Sequence, residues 1–283
     1  MLDLSHRHEL DWFAQLVAEV CSAAPRLELL LVGALARDLL LHYGHGVRIE
    51  RLTVDADFAL AVADWNEFSA ARDALLASGT FVAHRHVAHK LQHAKFGWID
   101  LIPFGAVERS DATIAWPPTG DEVMEVLGYA EAAESSIAVT LPKGQTVRVV
   151  SLPMLAVLKV FAWSDRHRLT QGKDAVDLGL ILRNYLEAGN LARLYAEFPH
   201  VITDDFDFEP TSGWLLGYDA RAALAKHSVR FEQVIQRLVS ILVRELSPER
   251  ESPLVAQLNP VRTDQAIKLL GAFHAGLSGA TGP

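Results

Sequence analysis

Two carboxylates stand close together in the stretch RLTVDADFAL, residues 51 to 60. The apolar residues around them predict a strand, and side chains on a strand alternate between its two faces. Asp55 and Asp57 then share one face, roughly 7 Å apart along the backbone. Such a like-charged pair needs a positive neighbour, and carboxylate oxygens are suitable ligands for Mg²⁺, which shares its shell with substrate phosphates. Because a D-x-D spacing also arises by chance, the pair alone does not establish a metal site.

Two further features lie on either side of this pair. Asp100 belongs to GWIDLIPF, an apolar strand in which an ionised acid is costly unless it is paired or bound to a metal. Gly33 ends an apolar strand and Ala34 begins a helix, an arrangement that presents backbone N–H groups to a phosphate. The alternatives are an acid at a strand edge that meets solvent or an arginine, and an ordinary tight turn at Gly33.

The elements that must position these residues follow from hydrophobic periodicity. The first half of the chain mixes strands and helices, with a capping box formed by Asp64 and Glu67 and a hairpin turn around residues 142–145. The other elements predicted there are helices over 8–23, 34–43 and 65–78, strands over 27–33 and 54–62, and two or three strands within 80–104.

The pattern changes after Ser151, where helical periodicity extends through most of the remaining chain. The acidic run over 204–209 indicates a loop, and the tail GLSGATGP, residues 276–283, is expected to be disordered. We therefore predict an α+β protein with two domains. A mixed-sheet domain spans residues 1–150, and a mostly helical domain spans residues 151–283.

Length and composition limit the class of protein. The 283 residues suggest two domains, half of the residues are apolar, and the formal net charge is −9. No stretch reaches the about 18 apolar residues of a membrane span, and the start MLDLSHRHEL lacks the layout of a secretory signal. Cys21 is the single cysteine, so no intrachain disulfide can form. We expect a cytoplasmic protein with no membrane partner.

The charge distribution is uneven. The negative net charge argues against a general nucleic-acid coat protein, because phosphate binding needs local positive charge. Residues 74–99 contain no acid but hold Arg85, Lys90 and Lys95 with four histidines, and they form either a solvated basic face or a site for a polyanionic ligand. A zinc site is disfavoured because no cysteine or acid lies among the histidines. These are His84, His86, His89 and His93.

The order of Gly33, the D-x-D pair and a third aspartate resembles the polymerase-β-like nucleotidyltransferase superfamily. Within it, the sequence is most similar to the AbiEii/AbiGii abortive-infection nucleotidyltransferase toxins. The family pattern R-x-[ST]-x-D-x-D matches Arg51, Thr53, Asp55 and Asp57. The resemblance covers roughly residues 28 to 185. It implies that the glycine turn holds the triphosphate and that three acids on neighbouring strands bind two divalent metal ions.

A second family pattern, a lysine and an arginine followed by Lys-Asp-x-x-Asp, lies in the helical half. It matches Lys159, Arg166, Lys173, Asp174 and Asp177. Taken alone, these residues indicate a solvated helix face with local ion pairs. The resemblance implies instead that Lys159 reaches the nucleotide phosphates and that Asp174 helps to order the site. It assigns nucleotide binding to Gly33, Ala34, Arg51, Thr53, Lys159, Lys173 and Asp174.

One position departs from the superfamily pattern. Position 34 is alanine where the superfamily usually has serine or glycine, so a hydroxyl contact to phosphate is lost while the backbone N–H remains. We expect weaker nucleotide binding from this change rather than an inactive site.

The residues and the resemblance together predict a nucleotidyltransferase that depends on Mg²⁺ or Mn²⁺ and moves an NMP from an NTP to an acceptor hydroxyl. Asp55 and Asp57 would coordinate the metal that orients the triphosphate. Asp100 would help to hold a second metal and draw the proton from the attacking hydroxyl. The helical domain is expected to complete the active-site cleft.

The resemblance implies that the acceptor is RNA, at the tRNA 3′ end, or a protein, and that the chain is a toxin opposed by a cognate antitoxin. Two other functions remain open. A catalytically degenerate nucleotide sensor or interaction module would account for Ala34. A metal-dependent phosphohydrolase is disfavoured, because no histidine is placed beside the carboxylates in sequence.

Overall fold

The structure, a computed structural model, describes residues 1–25, 27–249, 251–259 and 261–283. In it the chain divides into two units. The first comprises residues 1–44 and 48–151, and the second comprises residues 45–47 and 152–283. The boundary expected from the sequence, between residues 150 and 151, lies beside the division between Ser151 and Leu152.

The first unit is built on a mixed sheet. Among the described residues, eight strands pair in the order β1-β9-β10-β2-β3-β6-β5-β4, and two short strands, β7 and β8, form a separate hairpin. The strands are β1 (Leu2–Asp3), β2 (Leu29–Val32), β3 (Ala56–Val62), β4 (Phe81–Ala83), β5 (Lys90–His93), β6 (Gly97–Gly105), β7 (Thr113–Ala115), β8 (Val123–Glu125), β9 (Ile137–Thr140) and β10 (Thr146–Val149).

The sheet is held together at its centre by apolar strands. All four residues of β2 are buried, and β2 runs antiparallel to β3 and parallel to β10. β3 in turn runs parallel to β6 over seven register pairs, from Ala56 opposite Ile99 to Val62 opposite Gly105. A strand that is buried on both faces forms a continuous apolar run, which explains why LLLV was recognisable in the sequence.

In the described part of the first unit, four α-helices accompany this sheet: α1 (Asp11–Ala23), α2 (Gly33–Asp38), α3 (Trp65–Ala77) and α4 (Tyr129–Glu134). Helix α2 follows β2 without an intervening loop and continues into a π-helical turn, Leu39–Tyr43. Helix α3 begins as predicted, because the Asp64 carboxylate accepts a hydrogen bond from the Glu67 amide at 2.9 Å. The Glu67 carboxylate accepts in turn from the amide of Ala63 at 2.7 Å.

The second unit is helical in the residues described. It contains α5 (Leu152–Thr170), α6 (Lys173–Asn184), α7 (Leu191–Glu197), α8 (Phe208–His227), α9 (Phe231–Leu246), α10 (Pro253–Leu258) and α11 (Thr263–Leu277). A kinked segment, Leu186–Asn190, joins α6 to α7 and contains Gly189 at φ +87°. Trp163 and Trp214 are the largest side chains of its core, and both are almost completely buried.

Helices α8 and α11 approach each other at backbone distance. A Cβ added to Gly217 would lie 2.2 Å from the carbonyl oxygen of Phe273, and one added to Gly276 would lie 2.1 Å from that of Trp214. No real Cβ fits at these distances, so both positions require glycine for steric reasons. The sequence shows these glycines only as residues of low helix propensity.

The C-terminal tail differs from the sequence-based expectation of disorder. Helix α11 extends to Leu277, and the carbonyl oxygen of Ala280 accepts a hydrogen bond from the indole Nε1 of Trp214 at 3.0 Å. The carbonyl oxygen of Thr281 lies 2.8 Å from Nε2 of His200. The expectation is wrong because these partners are distant in sequence, whereas the tail's composition reports only its weak local preference.

The predicted fold class, α+β with an N-terminal mixed sheet and a helical C-terminal region, is confirmed. The loop expected over 204–209 ends at Asp207, because α8 begins at Phe208. Within the described residues, no helix combines the length and the apolar character that crossing a membrane would need.

Candidate functional site

The sheet places Asp57 and Asp100 side by side. They occupy opposite positions in the parallel pair of β3 and β6, and residues in register on neighbouring strands point to the same face. Neighbouring strands lie about 4.8 Å apart, so the two carboxylates project from adjacent points of that face. Both residues are partly exposed. Two of the three predicted acids are therefore brought together by strand pairing.

Lys90 extends this row across a third strand. β5 runs antiparallel to β6 with Lys90 opposite Asp100, and the lysine Nζ donates to both Asp100 oxygens at 2.9 Å. We call Asp57, Asp100 and Lys90 the charged row. The sequence indicated Lys90 only as one of several basic residues between positions 74 and 99. The alternation of side chains along KLQH and GWID was the available signal, but it identifies this partner only once the hairpin register is known.

Asp55 lies just outside the sheet. Strand β3 begins at Ala56, and the amide of Asp55 donates to the hydroxyl of Thr53 at 3.1 Å rather than to a neighbouring strand. The strand predicted over 54–62 therefore begins two residues later than expected, and a shared face for Asp55 and Asp57 stays a prediction. The Asp55 carboxylate still reaches β6, because its Oδ1 accepts a hydrogen bond from the amide of Trp98 at 3.3 Å. Asp55 thus borders the strand that carries Asp100.

The segment before β3 is fixed by a buried ion pair that sequence reasoning missed. Asp38 is fully buried at the end of α2, and its Oδ2 accepts from the amide of Thr53 at 2.8 Å. Its Oδ1 accepts from Nε of Arg37 at 2.8 Å, and Arg37 is itself buried. The adjacent charges in the apolar helix GALARDLLLHY were the available signal. Asp38 therefore sets the path of the chain leading to Asp55.

The predicted nucleotide-binding residues before the sheet have different environments. Thr53 has its amide and its hydroxyl engaged by Asp38 and Asp55 respectively. Arg51 is exposed, and Ala34 is partly exposed as the second residue of α2. A role for these residues toward a nucleotide stays a prediction.

Position 33 must be glycine because the Asp57 carboxylate lies against it. Its φ is +73°, a region that side-chain-bearing residues rarely adopt, and a Cβ built there would lie 1.8 Å from Oδ2 of Asp57. The Asp57 carboxylate thus packs against the start of α2. The sequence predicted that this glycine lets a phosphate approach the backbone. In the structure it makes room for the Asp57 carboxylate.

The second family pattern forms a buried ionic network within the helical unit. Lys159 on α5 is 6% exposed, and its Nζ donates to Oδ1 of Asp174 at 3.0 Å and to Oδ2 of Asp177. Arg166 on the same helix donates through Nε to Oδ2 of Asp174 at 3.0 Å. Asp174 and Asp177 are three residues apart on α6 and share one face, as helical spacing requires. We call these four residues the helical ionic network.

The network favours the charged forms of Lys159 and Asp174 despite their burial. Burial alone would raise the pKa of the Asp174 carboxyl, but the charges of Lys159 and Arg166 outweigh it and lower that pKa. Burial would likewise lower the pKa of the Lys159 ammonium, and the charges of Asp177 and Asp174 reverse the direction and raise it. The two opposite shifts have one cause, which is the attraction between the partners.

Lys159 and Lys173, both predicted to contact a nucleotide, have different surroundings in the structure. The Lys159 ammonium is enclosed by two carboxylates, so a phosphate contact would require it to exchange partners or to share its hydrogens. Lys173 is exposed at the first residue of α6. The predicted contacts of these lysines and of Asp174 with a nucleotide stay predictions.

The histidines between β4 and β6 do not converge. His93 is 3% exposed, with Nε2 at 3.0 Å from Oε2 of Glu19 and Nδ1 accepting from the amide of Lys95 at 3.0 Å. The Nδ1 of His84 accepts instead from the amide of Val87 at 3.0 Å. In the part of the chain that the structure describes, no three His, Cys, Asp or Glu side chains are arranged to hold a metal ion.

The same finding constrains the predicted metal site of Asp55, Asp57 and Asp100. As placed, these acids do not form a ready three-carboxylate cluster, and Asp100 is directed to Lys90. Mg²⁺ is commonly bound by one or two carboxylates together with substrate phosphates and water. The donor chemistry of Asp55 and Asp57 fits an ion of that kind, whose shell is completed by a substrate.

A family model described as nucleotidyl transferase AbiEii toxin, type IV TA system, matches residues 16–220. The matched segment includes the charged row and the helical ionic network. No curated protein sequence matches the chain significantly.

Proposed function

Because the chain belongs to the AbiEii family of nucleotidyl transferase toxins, we propose that it transfers an NMP from an NTP to an acceptor hydroxyl at the charged row. The observation that carries this assignment is the register of β3 and β6, which sets Asp57 beside Asp100. Asp55 adds a third carboxylate at the edge of β6 through its bond to the Trp98 amide. Acids clustered on a sheet face suit chemistry on a polyanionic, metal-bound substrate.

The transfer is a nucleophilic displacement at the α-phosphorus. The acceptor oxygen forms a bond to the α-phosphorus, the bond from that phosphorus to the bridging oxygen breaks, and pyrophosphate leaves with the bonding electrons. The acceptor proton passes to a carboxylate, which we assign to Asp100. A divalent ion, when bound, supplies charge neutralisation of the triphosphate. Asp55 and Asp57 would hold it, with phosphate oxygens completing its shell.

The acceptor is proposed to be RNA, with the tRNA 3′ end as the first candidate and a protein hydroxyl as the second. The family resemblance supports this choice, and residues 74–99, which contain no acid, carry positive charge that suits a polyanion. As the family's type IV toxin–antitoxin description implies, we also propose a cognate antitoxin as the partner that opposes the activity.

One labelling experiment tests the reaction and its acceptor together. The protein is incubated with each α-labelled NTP, Mg²⁺ or Mn²⁺, and either total RNA or RNA-depleted cell extract. We expect label in the RNA fraction, released pyrophosphate in equal amount, and a loss of about 100-fold or more in Asp57→Asn. Label in protein alone would move the acceptor to the second class.

A matched acidic residue serves as the control. Asp121 is exposed in the same unit and lies outside the charged row, so Asp121→Asn should transfer label at the wild-type rate. Transfer at the wild-type rate by Asp57→Asn would contradict the proposed site. Circular dichroism of both variants separates a lost activity from a lost fold.

A second candidate function, a nucleotide sensor without turnover, is favoured by two observations. Asp100 is held by Lys90 through both oxygens, and Ala34 removes a hydroxyl from the glycine turn. Such a sensor would bind NTP in a calorimeter and release no pyrophosphate with any acceptor. Pyrophosphate formation that scales with added RNA would exclude it.

A further inference from the structure

We propose that Lys90 is a fixed cation of the charged row and a positioning residue of the reaction. Its ammonium supplies at Asp100 the positive charge that a second exchangeable metal ion would otherwise bring. Asp100 would then act as a partner of Lys90 rather than as a ligand of a divalent ion. This inference deepens the proposed function and rests on it, because it assigns how one of the site's carboxylates is neutralised.

The backbone holds Lys90 in place. Its amide donates to the carbonyl of Val87 at 3.2 Å, and its carbonyl accepts from the amide of His84 at 2.9 Å. The amide of Leu101, next to Asp100, donates to the carbonyl of His89 at 2.8 Å. These bonds lie on both sides of the Lys90–Asp100 pair. The contact between the two side chains is therefore built into the sheet and not a chance meeting of surface groups.

The ammonium is also held by an aromatic ring. Its Nζ lies 5.9 Å from the centre of the Trp98 ring, within the range of a cation–π interaction. Trp98 is two residues before Asp100 on β6 and points to the same face of the sheet. The Lys90 and Asp100 side chains are only 29% and 22% exposed. Carboxylate and indole together give the ammonium a defined position.

Charge explains why one cation excludes another at this point. Asp57 and Asp100 are in register on neighbouring strands, so their like charges would repel without a cation beside them. Lys90 provides that cation permanently, because it is covalently part of β5. A divalent ion on the same carboxylate would face the ammonium at close range and would be repelled by it. The row thus favours the lysine over a second ion at Asp100.

The test counts bound metal ions and does not depend on turnover. Mn²⁺ alone is titrated into the full chain, and free Mn²⁺ is followed by its electron paramagnetic resonance signal. We expect Lys90→Met to bind one ion more per chain than the wild type. The double variant Lys90→Met/Asp100→Asn should return to the wild-type number, because the added ion would use the Asp100 carboxylate.

Two outcomes would overturn the proposal. The first is that Lys90→Met binds the same number of ions as the wild type. The second is that Asp100→Asn alone binds one ion fewer than the wild type, which would make Asp100 a metal ligand. Lys90→Arg keeps the charge and should keep the wild-type count. Lys95→Met is the matched control, since Lys95 is an exposed lysine in the turn of the same hairpin.

The ion counts and the transfer reaction test separate claims. If labelled nucleotide is transferred but the counts do not change as expected, the role of Lys90 is wrong and the proposed function stands. If the counts change as expected but no acceptor takes label, the cation role stands and the proposed reaction is wrong. Thermal unfolding of each variant confirms that the counts refer to folded protein.

Discussion

Gly33 is the residue at which the backbone and the charged row constrain each other most directly. Its positive φ and its contact with Asp57 are separate demands, and alanine violates both. We expect Gly33→Ala to lower the free energy of unfolding by about 3 kcal/mol or more, from backbone strain and overpacking together. Urea unfolding measures this loss.

Gly79 separates the two demands. Its φ is +78°, and nothing lies within 4 Å of a Cβ added there, so Gly79→Ala should cost only about 1 to 2 kcal/mol of backbone strain. The clash at Gly33 should disappear when Asp57 is also truncated. If Gly33→Ala costs no more than Gly79→Ala, the packing of Asp57 against the turn is not as described.

Lys159 is the second residue whose environment makes a sharp prediction. Lys159→Met leaves Asp174 and Asp177 buried without their shared cation, and we expect a loss of about 3 to 5 kcal/mol in the free energy of unfolding. Lys173→Met removes an exposed charge one residue from Asp174 and should change stability by less than about 0.5 kcal/mol. Equal stability of the two variants would show that the network is not buried.

At the scale of elements, the pairing of α8 with α11 depends on glycine. Gly217→Ala would place a methyl group against the Phe273 carbonyl and force the helices apart, at a cost of about 1 to 3 kcal/mol or more. Gly271→Ala on α11 meets nothing within 4 Å and should stabilise the protein by about 0.5 to 1 kcal/mol through helix propensity. Opposite signs in thermal unfolding are the expected result, and matching signs would count against this packing.

The start of α3 offers a prediction about capping. The Asp64 side chain accepts from the Glu67 amide, so Asp64→Ala should cost about 0.5 to 2 kcal/mol. Asp73, in the middle of the same helix and largely exposed, is the control, and Asp73→Ala should be close to neutral. A capping contribution requires that the first change cost clearly more than the second.

At the scale of the whole molecule, the helical ionic network predicts how global stability responds to pH. The lowered pKa of Asp174 means that its contribution is present above its unfolded pKa, near 3.8, and is lost as pH falls through the folded pKa. The raised pKa of Lys159 means that its contribution is present below its unfolded pKa, near 10.5, and is lost as pH rises through the folded pKa.

The difference in unfolding free energy between wild type and Lys159→Met should therefore be flat across neutral pH. It should shrink at acid pH, where Asp174 is protonated, and again at strongly alkaline pH, where Lys159 is neutral. Denaturant unfolding at a series of pH values measures this profile. A difference that changes steadily between pH 5 and pH 9 would show that another group controls it.

The sequence alone determined the central elements and the family. Alternation and helical periodicity are local properties of the chain, so β2, β3, α3 and the helices after Ser151 could be predicted from neighbouring residues. The motif around Arg51 to Asp57 and the later Lys-Asp-x-x-Asp identified a family that the family model confirms. The capping box at Asp64 was also local, because donor and acceptor lie three residues apart.

Only the tertiary structure decided which residues distant in sequence contact each other. Lys90 meets Asp100 because β5 pairs with β6 in one register, and a slip of one residue would turn it to the other face of the sheet. The Asp38 carboxylate accepts a hydrogen bond from the amide of Thr53, fifteen residues later. The indole of Trp214 donates a hydrogen bond to the carbonyl of Ala280 in the tail. Contacts between residues distant in sequence depend on how the whole sheet or helix bundle packs. Local preference carries no information about that packing.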